Sequence, residues 1–285
     1  MNSFSLSFKG HHLKLGINTC VMGILNVTPD SFSDGGRFFK ASQAIDQAHK
    51  MVEQGADIID IGGESTRPYS DAVPAEEEIR RVVPVIRELA KTIPVPISID
   101  TNKALVAEQA IAAGASIVND VSAMEMDTDM ARVVAENKVP VILMHMRGLP
   151  RTMQVNPHYD DVVSEIIVYL ENVIRKAEEQ GIHKSMIIAD PGIGFGKTIE
   201  HNFRLLKHLS EFKRLDVPIL VGSSRKAFIR KTLGAAEGKD LSREIEIGTQ
   251  ATVSAAVIGG AHIVRVHDVA STVATVKILD AMKRA

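Results

Sequence analysis

Eight times along this chain, a short run of apolar residues ends at a polar or charged side chain and is followed by a stretch with helical periodicity. The runs are rich in Ile and Val and lack strict alternation, which is typical of parallel strands buried on both faces. This pattern predicts an α/β fold, a (β/α)₈ barrel with its active site at the carboxyl ends of the strands. The runs are Val21–Asn26, Asp57–Gly62, Pro96–Asp100, Ser116–Asp120, Pro140–His145, Met186–Asp190, Pro218–Gly222 and His262–His267.

Two further segments extend the eight units. Residues 1–19 contain two stretches of alternating apolar residues, which predict a short N-terminal β-hairpin that covers the bottom of the barrel. Ser242–Ile258 predicts an extra helix before the eighth strand. The chain has 285 residues and no Pro/Ser-rich linker, so residues 1–285 are predicted to form a single domain.

Composition narrows the range of partners. The formal net charge is −2, which gives no reason to expect nucleic acid or an anionic membrane as a partner. The most apolar stretch, Ala251–Val264, is too short to span a membrane. Cys20 is the only cysteine, so no internal disulfide can form and a cytoplasmic location is expected. A small-molecule ligand is therefore the expected partner.

Polar side chains at or just beyond the strand ends are the candidate functional residues. Each of them alone fits a buried hydrogen bond, but in a barrel they converge on one mouth and predict a ligand site. Two long loops, Val27–Lys40 and Gly63–Pro74, leave the same face and are candidate mobile lids. The polar residues are Asn26, Thr66, Asp100, Asn119, His145, Asp190, Lys226, Arg265 and His267.

Asp100, Asn119 and Asp190 follow three different strands and offer carboxylates and an amide. Such groups suit a flat polar heterocycle with several N–H groups, because a buried acceptor left unpaired is costly and gives specificity. A metal site built from the two carboxylates is the alternative. It ranks lower because Lys226 and Arg265 would compete for the same carboxylates.

Arg265 and His267 lie on one face of an extended segment, since strand side chains alternate with period two. Together they could bind an anion such as phosphate. The alternative for Arg265 is an ion pair with Asp100, Asp190 or Asp268. Both interpretations remain open from the sequence.

Two neighbouring loops complete the predicted site. Ser223–Lys226, which contains Ser224, opens a helix, so its backbone N–H groups suit an anion. The glycines of Asp190–Thr198 do not match the spacing of a nucleotide-binding P-loop, and they are expected to let backbone approach a flat ligand. Phe195 is then a wall or stacking residue. His145 is also interpreted as a wall, and no catalytic triad or zinc spacing is present.

These residues, in this order, resemble the dihydropteroate synthase family of pterin-binding barrels. The resemblance spans nearly the whole chain, and its first, sixth and last motifs together are highly specific. The motifs that carry it are Met22–Gly36, Asp60–Pro68, Ile97–Thr101, Ile117–Ser122, Leu143–Gln154, Ala189–Thr198, Ser223–Phe228 and Arg265–Val269.

The resemblance implies a reaction that joins 6-hydroxymethyl-7,8-dihydropterin diphosphate to 4-aminobenzoate, with Mg²⁺ as cofactor, sulfonamides as inhibitors and a homodimer as the assembly. It implies that Asn26 helps to place Mg²⁺. The residues implied for the pterin are Asp100, Asn119, Asp190 and Lys226. Those implied for the diphosphate are Thr66, Arg265 and His267. Those implied for the two lid loops are Asp34 and Arg67, with Ser31, Phe32 and Pro68.

One position departs from the family pattern. Many relatives carry a serine after the lysine of the Ser-Arg-Lys motif, and this chain has Ala227 there. The 4-aminobenzoate carboxylate would then fall to the helix N-terminus, Arg67 or Ser224. Two other functions also fit a pterin barrel: a methyltetrahydrofolate-binding methyltransferase and a pterin-binding paralogue without synthase activity.

Overall fold

The computed structural model describes residues 2–27, 37–65, 72–149, 152–234 and 241–285. Two antiparallel strands and eight parallel strands make up its sheets. The antiparallel strands are β1 (Phe4–Phe8) and β2 (His11–Leu15). The parallel strands are β3 (Cys20–Asn26), β4 (Ile58–Gly62), β5 (Ile97–Asp100), β6 (Ile117–Asp120), β7 (Val141–Met144), β8 (Ile187–Asp190), β9 (Leu220–Val221) and β10 (Ile263–Val266).

The eight parallel strands form a nearly closed barrel and confirm the predicted fold. Their order in the sheet is β8-β7-β6-β5-β4-β3-β10-β9, so strands that follow one another along the chain lie side by side. A single parallel bridge between Ala189 and Ile219 links the two ends of this order. The strand β9 has only two residues, fewer than the predicted run Pro218–Gly222. Most strand residues are buried, as continuous apolar runs require.

Helices follow the barrel strands and pack around them. The predicted extra helix before the last strand is confirmed as α8. Within the described residues, no helix is both long and apolar enough to cross a membrane. The α-helices are α1 (Arg37–Glu53), α2 (Ala75–Thr92), α3 (Ala104–Ala113), α4 (Met130–Asn137), α5 (Val162–Glu179), α6 (Ile199–Lys207), α7 (Ala227–Thr232), α8 (Ser242–Gly259) and α9 (Val269–Arg284).

The N-terminal hairpin packs against the amino-terminal end of the barrel. Leu6, Phe8, Leu13 and Leu15 are buried and share one apolar cluster with barrel residues. The barrel members of this cluster lie at or near the beginnings of their strands: Cys20, Met22, Ile58, Ile117, Ile142, Ile188, Leu220 and Ile263. The hairpin therefore lies at the end opposite the polar strand ends and leaves the carboxyl face open for a ligand.

Close contact between α2 and α3 depends on a glycine. Gly114 ends α3 with a φ of +123°, a backbone conformation that side chains disfavour. A Cβ atom added at Gly114 would lie 2.4 Å from the Cβ of Ala90 on α2. Helix and backbone would both have to shift to admit it.

We expect Gly114→Ala to lower the free energy of unfolding by about 3 kcal/mol, since backbone strain and overpacking act together. Gly10→Ala is the matched control. Gly10 also has a positive φ, of +81°, but an added Cβ there meets no atom within 4 Å. Its expected cost is about 1 kcal/mol, from backbone strain alone. Equilibrium urea unfolding measures both values, and equal losses would contradict the role of the Ala90 contact.

Candidate functional site

The barrel brings the predicted heterocycle-binding residues to one mouth. Asp100 ends β5 and pairs in register with Asn119 of β6, while Asp190 ends β8. All three are buried. In parallel strands of similar length, the carboxyl ends meet at the same edge of the barrel. Residues distant in sequence therefore share one small volume.

Arg265 links the strands at this mouth through two ion pairs. Its Nε donates to Asp60 Oδ2 at 2.6 Å, and its Nη2 donates to Asp100 Oδ2 at 2.6 Å. Asn119 Nδ2 donates to the same Asp60 oxygen at 3.1 Å. The ion pair with Asp100 is one of the alternatives that the sequence left open for Arg265. These contacts form one network, termed here the arginine network: Asp60, Asp100, Asn119 and Arg265.

Asp60 was not among the candidate site residues predicted from the sequence. It lies inside β4 rather than at its end, and its side chain is completely buried. A lone carboxylate within an otherwise apolar strand was the available signal, because a buried charge requires a partner. The partner, Arg265, is more than two hundred positions away, so the sequence could not identify it.

Burial changes the acidity of the carboxyl groups at the mouth. Desolvation raises the pKa of Asp100 to about 7, although the Arg265 guanidinium acts in the opposite direction. Desolvation likewise raises the pKa of Asp190 to about 6, against the hydrogen bond from the Gly192 backbone N–H. Desolvation lowers the pKa of Arg265, but the carboxylates of Asp60 and Asp100 outweigh it and raise that pKa, so the guanidinium stays charged. The charged groups of the site are thus largely shielded from solvent by the surrounding protein.

Two buried carboxylate oxygens at the mouth have capacity to accept hydrogen bonds. Among the described residues, Asp60 Oδ1 and Asp100 Oδ1 have no hydrogen-bond partner. An unpaired buried acceptor typically costs about 1–3 kcal/mol. Because both oxygens are also closed off from solvent, a ligand with N–H groups would reach them only if a neighbouring side chain moved aside.

The glycine loop after β8 packs its backbone against the end of β7. Gly192 and Gly196 have φ values of +70° and +63°. A Cβ at Gly192 would lie 1.9 Å from the carbonyl oxygen of His145, and one at Gly196 would lie 2.3 Å from that of Arg147. Gly192 and Gly196 therefore serve close backbone packing between two strand ends, and the approach of this loop to a flat ligand stays a prediction.

Phe195, in the same loop, is buried, and its role as a wall or stacking residue stays a prediction. The ammonium Nζ of Lys226 lies 3.8 Å from the centroid of its ring, a cation–π contact. Lys226 immediately precedes α7, and its charge lowers the pKa of both Asp100 and Asp190, against their desolvation. Lys226 is thus close enough to both carboxyl groups to influence their ionisation.

The predicted anion-binding residues lie together on the adjacent strands β9 and β10 or just after them. Ser224 Oγ lies 2.9 Å from His267 Nδ1 and accepts a hydrogen bond from the His267 backbone N–H at 3.2 Å. Lys226 directly precedes α7, which begins at Ala227, and the sequence predicted a helix after this loop. Ser224 therefore holds His267 in place.

Lys197, which follows Gly196 in the same loop, is a second residue that the sequence did not predict for this site. Lys197 is buried, with its Nζ 3.0 Å from His145 Nδ1, and it donates to the Phe195 carbonyl oxygen at 2.9 Å. Desolvation lowers the pKa of Lys197 to about 7 and that of His145 to about 2. His145 is therefore neutral. The lysine directly after a glycine-rich segment was the only sequence signal, and it suggested a nucleotide loop.

Asn26 ends β3 at the same mouth, with its amide oxygen close to Gly62 of β4. Within the described parts of the chain, no group of three or more His, Cys, Asp or Glu side chains could hold a metal ion. The remaining predicted site residues, Asp34, Thr66 and Arg67, lie outside the described residues, as do Ser31, Phe32 and Pro68.

Comparison with known proteins gives this site a family. The model of the pterin binding enzyme family matches residues 22–267. The dihydropteroate synthase of Synechocystis sp. is 49% identical over 269 residues, which cover 94% of this chain and 92% of that protein. The dihydropteroate synthase of Escherichia coli K12 is 45% identical over 261 residues, with coverage of 92% and 90%.

Solved structures of dihydropteroate synthases resemble this chain over its full length. Xanthomonas albilineans dihydropteroate synthase with 4-aminobenzoic acid superposes with a TM-score of 0.92 and 44% identity, covering 100% of both chains. Yersinia pestis dihydropteroate synthase in complex with a sulfonamide drug gives a TM-score of 0.91 and 42% identity, covering 99% of both. With its barrel, its buried carboxylates and these relatives, the chain belongs to the dihydropteroate synthases of the pterin-binding enzyme family.

Proposed function

We propose that this chain condenses 6-hydroxymethyl-7,8-dihydropterin diphosphate with 4-aminobenzoate to give 7,8-dihydropteroate and diphosphate, a step of folate synthesis. The observation that carries the proposal is the arginine network, which lies at the same mouth as the buried carboxyl group of Asp190 and the ammonium of Lys226. These residues supply carboxylate acceptors for a pterin ring and charges of both signs at one end of the barrel. The Xanthomonas enzyme that resembles this chain has been solved with 7,8-dihydropteroate.

The pterin is assigned to Asp100, Asn119, Asp190 and Lys226. Carboxylates of Asp100 and Asp190 would accept hydrogen bonds from the ring's amino and amide N–H groups. The side-chain amide of Asn119 can both accept and donate hydrogen bonds. Its Nδ2 donates to Asp60, and this contact fixes the orientation of the amide and therefore of its oxygen. The site would discriminate against ligands that lack these N–H groups, because such ligands would leave buried acceptors unpaired.

The reaction is proposed to be dissociative, in the manner of an SN1 substitution. The bond between the methylene carbon and the diphosphate oxygen breaks, and the electron pair leaves with diphosphate. The positive charge that remains spreads over the electron-rich pterin ring. Asp100 and Asp190 would stabilise this cation as it forms, because fixed charges in a dry site act without reorganising. Thr66, Arg265 and His267 are assigned to the departing diphosphate.

The second substrate supplies the new bond. Its aromatic amine is neutral near pH 7, so its lone pair attacks the methylene carbon directly and the nitrogen then releases a proton to water or diphosphate. A strong general base is not required by this chemistry. Asp34 and Arg67 are assigned to the loops over this pocket. Because Ser224 contacts His267, Arg67 becomes the main candidate to bind the carboxylate of 4-aminobenzoate. Sulfonamides are expected to occupy the same pocket as mimics of 4-aminobenzoate.

Mg²⁺ is proposed as the cofactor. Mg²⁺ keeps several waters and binds through few protein groups together with substrate phosphates. A single hard amide oxygen, that of Asn26 at the end of β3, suits such a site, and a cluster of carboxylates is not needed. When bound, the ion would neutralise charge on the leaving diphosphate.

A homodimer and a cytoplasmic location complete the proposal. Exposed apolar side chains on the last two helices support a dimer, because such residues are favoured at interfaces. They are Ile247 and Ile258 on α8, and Ile278 and Met282 on α9. Light scattering at micromolar concentration tests the assembly, and a monomer would contradict it. The location rests on Cys20, which is a buried free thiol.

A coupled assay separates the proposed activity from its alternatives. We expect the purified protein with Mg²⁺ and both substrates to release diphosphate only when 4-aminobenzoate is present. Pterin binding without diphosphate release would indicate an inactive paralogue. Methyl transfer from methyltetrahydrofolate, with no diphosphate release, would indicate the methyltransferase.

We expect Arg265→Ala to reduce kcat/KM for the diphosphate substrate on the order of 100-fold, or about 3 kcal/mol in the barrier. The change also leaves Asp60 and Asp100 buried without their cation, so stability should fall by about 3–5 kcal/mol. Steady-state kinetics and urea unfolding measure the two effects. Arg214→Ala is the control, since the ion pair that Arg214 forms with Glu171 is exposed to solvent. Wild-type kinetics in folded Arg265→Ala would refute the assignment.

We expect binding of the pterin to weaken as the pH falls. Asp100 and Asp190 have raised pKa values of about 7 and about 6, so both lose their negative charge between roughly pH 8 and pH 5. Protonated carboxyl groups accept hydrogen bonds from the ring less well. Calorimetry with 6-hydroxymethyl-7,8-dihydropterin, which carries no titrating phosphate, measures this. An affinity that stays constant over the range would show that the carboxylate charges are not used.

A further inference from the structure

Lys197 is a buried lysine that the proposed reaction does not use. Only 3% of its surface is exposed. Its ammonium nitrogen lies 3.0 Å from His145 Nδ1 and donates to the carbonyl oxygens of Phe195, at 2.9 Å, and His145, at 3.4 Å. A buried ammonium is costly unless its hydrogens are bonded, so these contacts fix its place.

The contacts of Lys197 join two strand ends. His145 follows β7, whereas Phe195 lies in the loop after β8. The imidazole of His145 is neutral and packs edge-on to Tyr169 of α5, with ring centroids 4.8 Å apart. It is therefore anchored on its other side and can accept a hydrogen bond at Nδ1. Lys197 thus ties the glycine-rich loop after β8 to the end of β7.

The tied loop in turn contacts the lysine assigned to the pterin. The Phe195 ring lies 3.8 Å below the Lys226 ammonium, and a Cβ at Gly194 would lie 3.0 Å from Lys226 Cδ. The side chain of Lys226 therefore rests along the loop. A shift of the Phe195 backbone would move the surface against which that ammonium is placed.

We propose that Lys197 is a positioning residue for the pterin pocket, which ties the Phe195 backbone to His145 and thereby fixes the ring that supports Lys226. This inference rests on the proposed function, because it concerns a residue assigned to the pterin. Two other roles make different predictions. A purely structural lysine would affect stability alone, and a lysine that acts on Asp190 through its charge would act independently of Phe195.

A double-mutant cycle separates these roles. Pterin affinity is measured by calorimetry with 6-hydroxymethyl-7,8-dihydropterin for the wild type, Lys197→Met, Phe195→Leu and the double variant. We expect Lys197→Met to weaken binding about ten-fold in the wild-type background, in line with the loss of charged hydrogen bonds. In the Phe195→Leu background, the same change should weaken binding by less than about two-fold.

The inference is overturned if Lys197→Met binds like the wild type, or if its effect is equally large in both backgrounds. Lys283→Met is the matched control and should bind normally. Lys283 is also hydrogen-bonded by side chains, to Thr19 Oγ1 and Asp280 Oδ1 at 3.1 Å, but at the opposite end of the barrel. Urea unfolding establishes that each variant is folded.

If Lys197→Met does not fold, Lys197→Gln replaces it in the cycle, since an amide keeps a donor for the Phe195 carbonyl. A smaller loss than ten-fold that still disappears with Phe195→Leu supports the inference, and a loss that persists overturns it. The cycle reads binding alone. Absence of diphosphate release by the wild type would therefore refute the proposed function, while the binding data would still decide the role of Lys197.

Discussion

The ion pairs of Arg265 with Asp60 and Asp100 hold the mouth of this barrel together. Two carboxylates from neighbouring strands share one guanidinium, with both N–O distances at 2.6 Å. Without the cation, two negative charges would be buried side by side, a state that costs several kcal/mol. The arginine therefore allows acidic groups to lie where a pterin ring is proposed to bind, and the rest of the site is arranged around that charge balance.

This arrangement gives Arg265 two compatible tasks. The sequence left open an anion-binding arginine and an ion pair, and the structure contains the ion pair. A guanidinium has five N–H donors in a fixed plane, and the two carboxylates engage Nε and Nη2. Its contacts to Asp60 and Asp100 therefore do not exclude the proposed contact with diphosphate. They would orient the guanidinium before the substrate arrives, which is the condition for electrostatic catalysis.

Support for the site comes from backbone packing as much as from charge. The glycine loop lies so close to the end of β7 that Gly192 and Gly196 have no space for a side chain. Lys197 adds hydrogen bonds between the same two segments. Lys226 rests on Phe195 of that loop. The wall of the proposed pocket thus consists of contacts that run from β7 through the glycine loop to Lys226 at the start of α7.

The sequence by itself determined the barrel, its hairpin, α8 and the strand ends that carry Asp100, Asn119 and Asp190. Those features are local: an apolar run, its length and the polar residue that stops it are readable within a few positions. Only the tertiary structure decided which charges pair. Asp60, hidden inside β4, and Lys197, beneath the glycine loop, acquire their roles from partners that the barrel brings near. Spacing along the chain carries no information about such contacts, because closure of the barrel creates them.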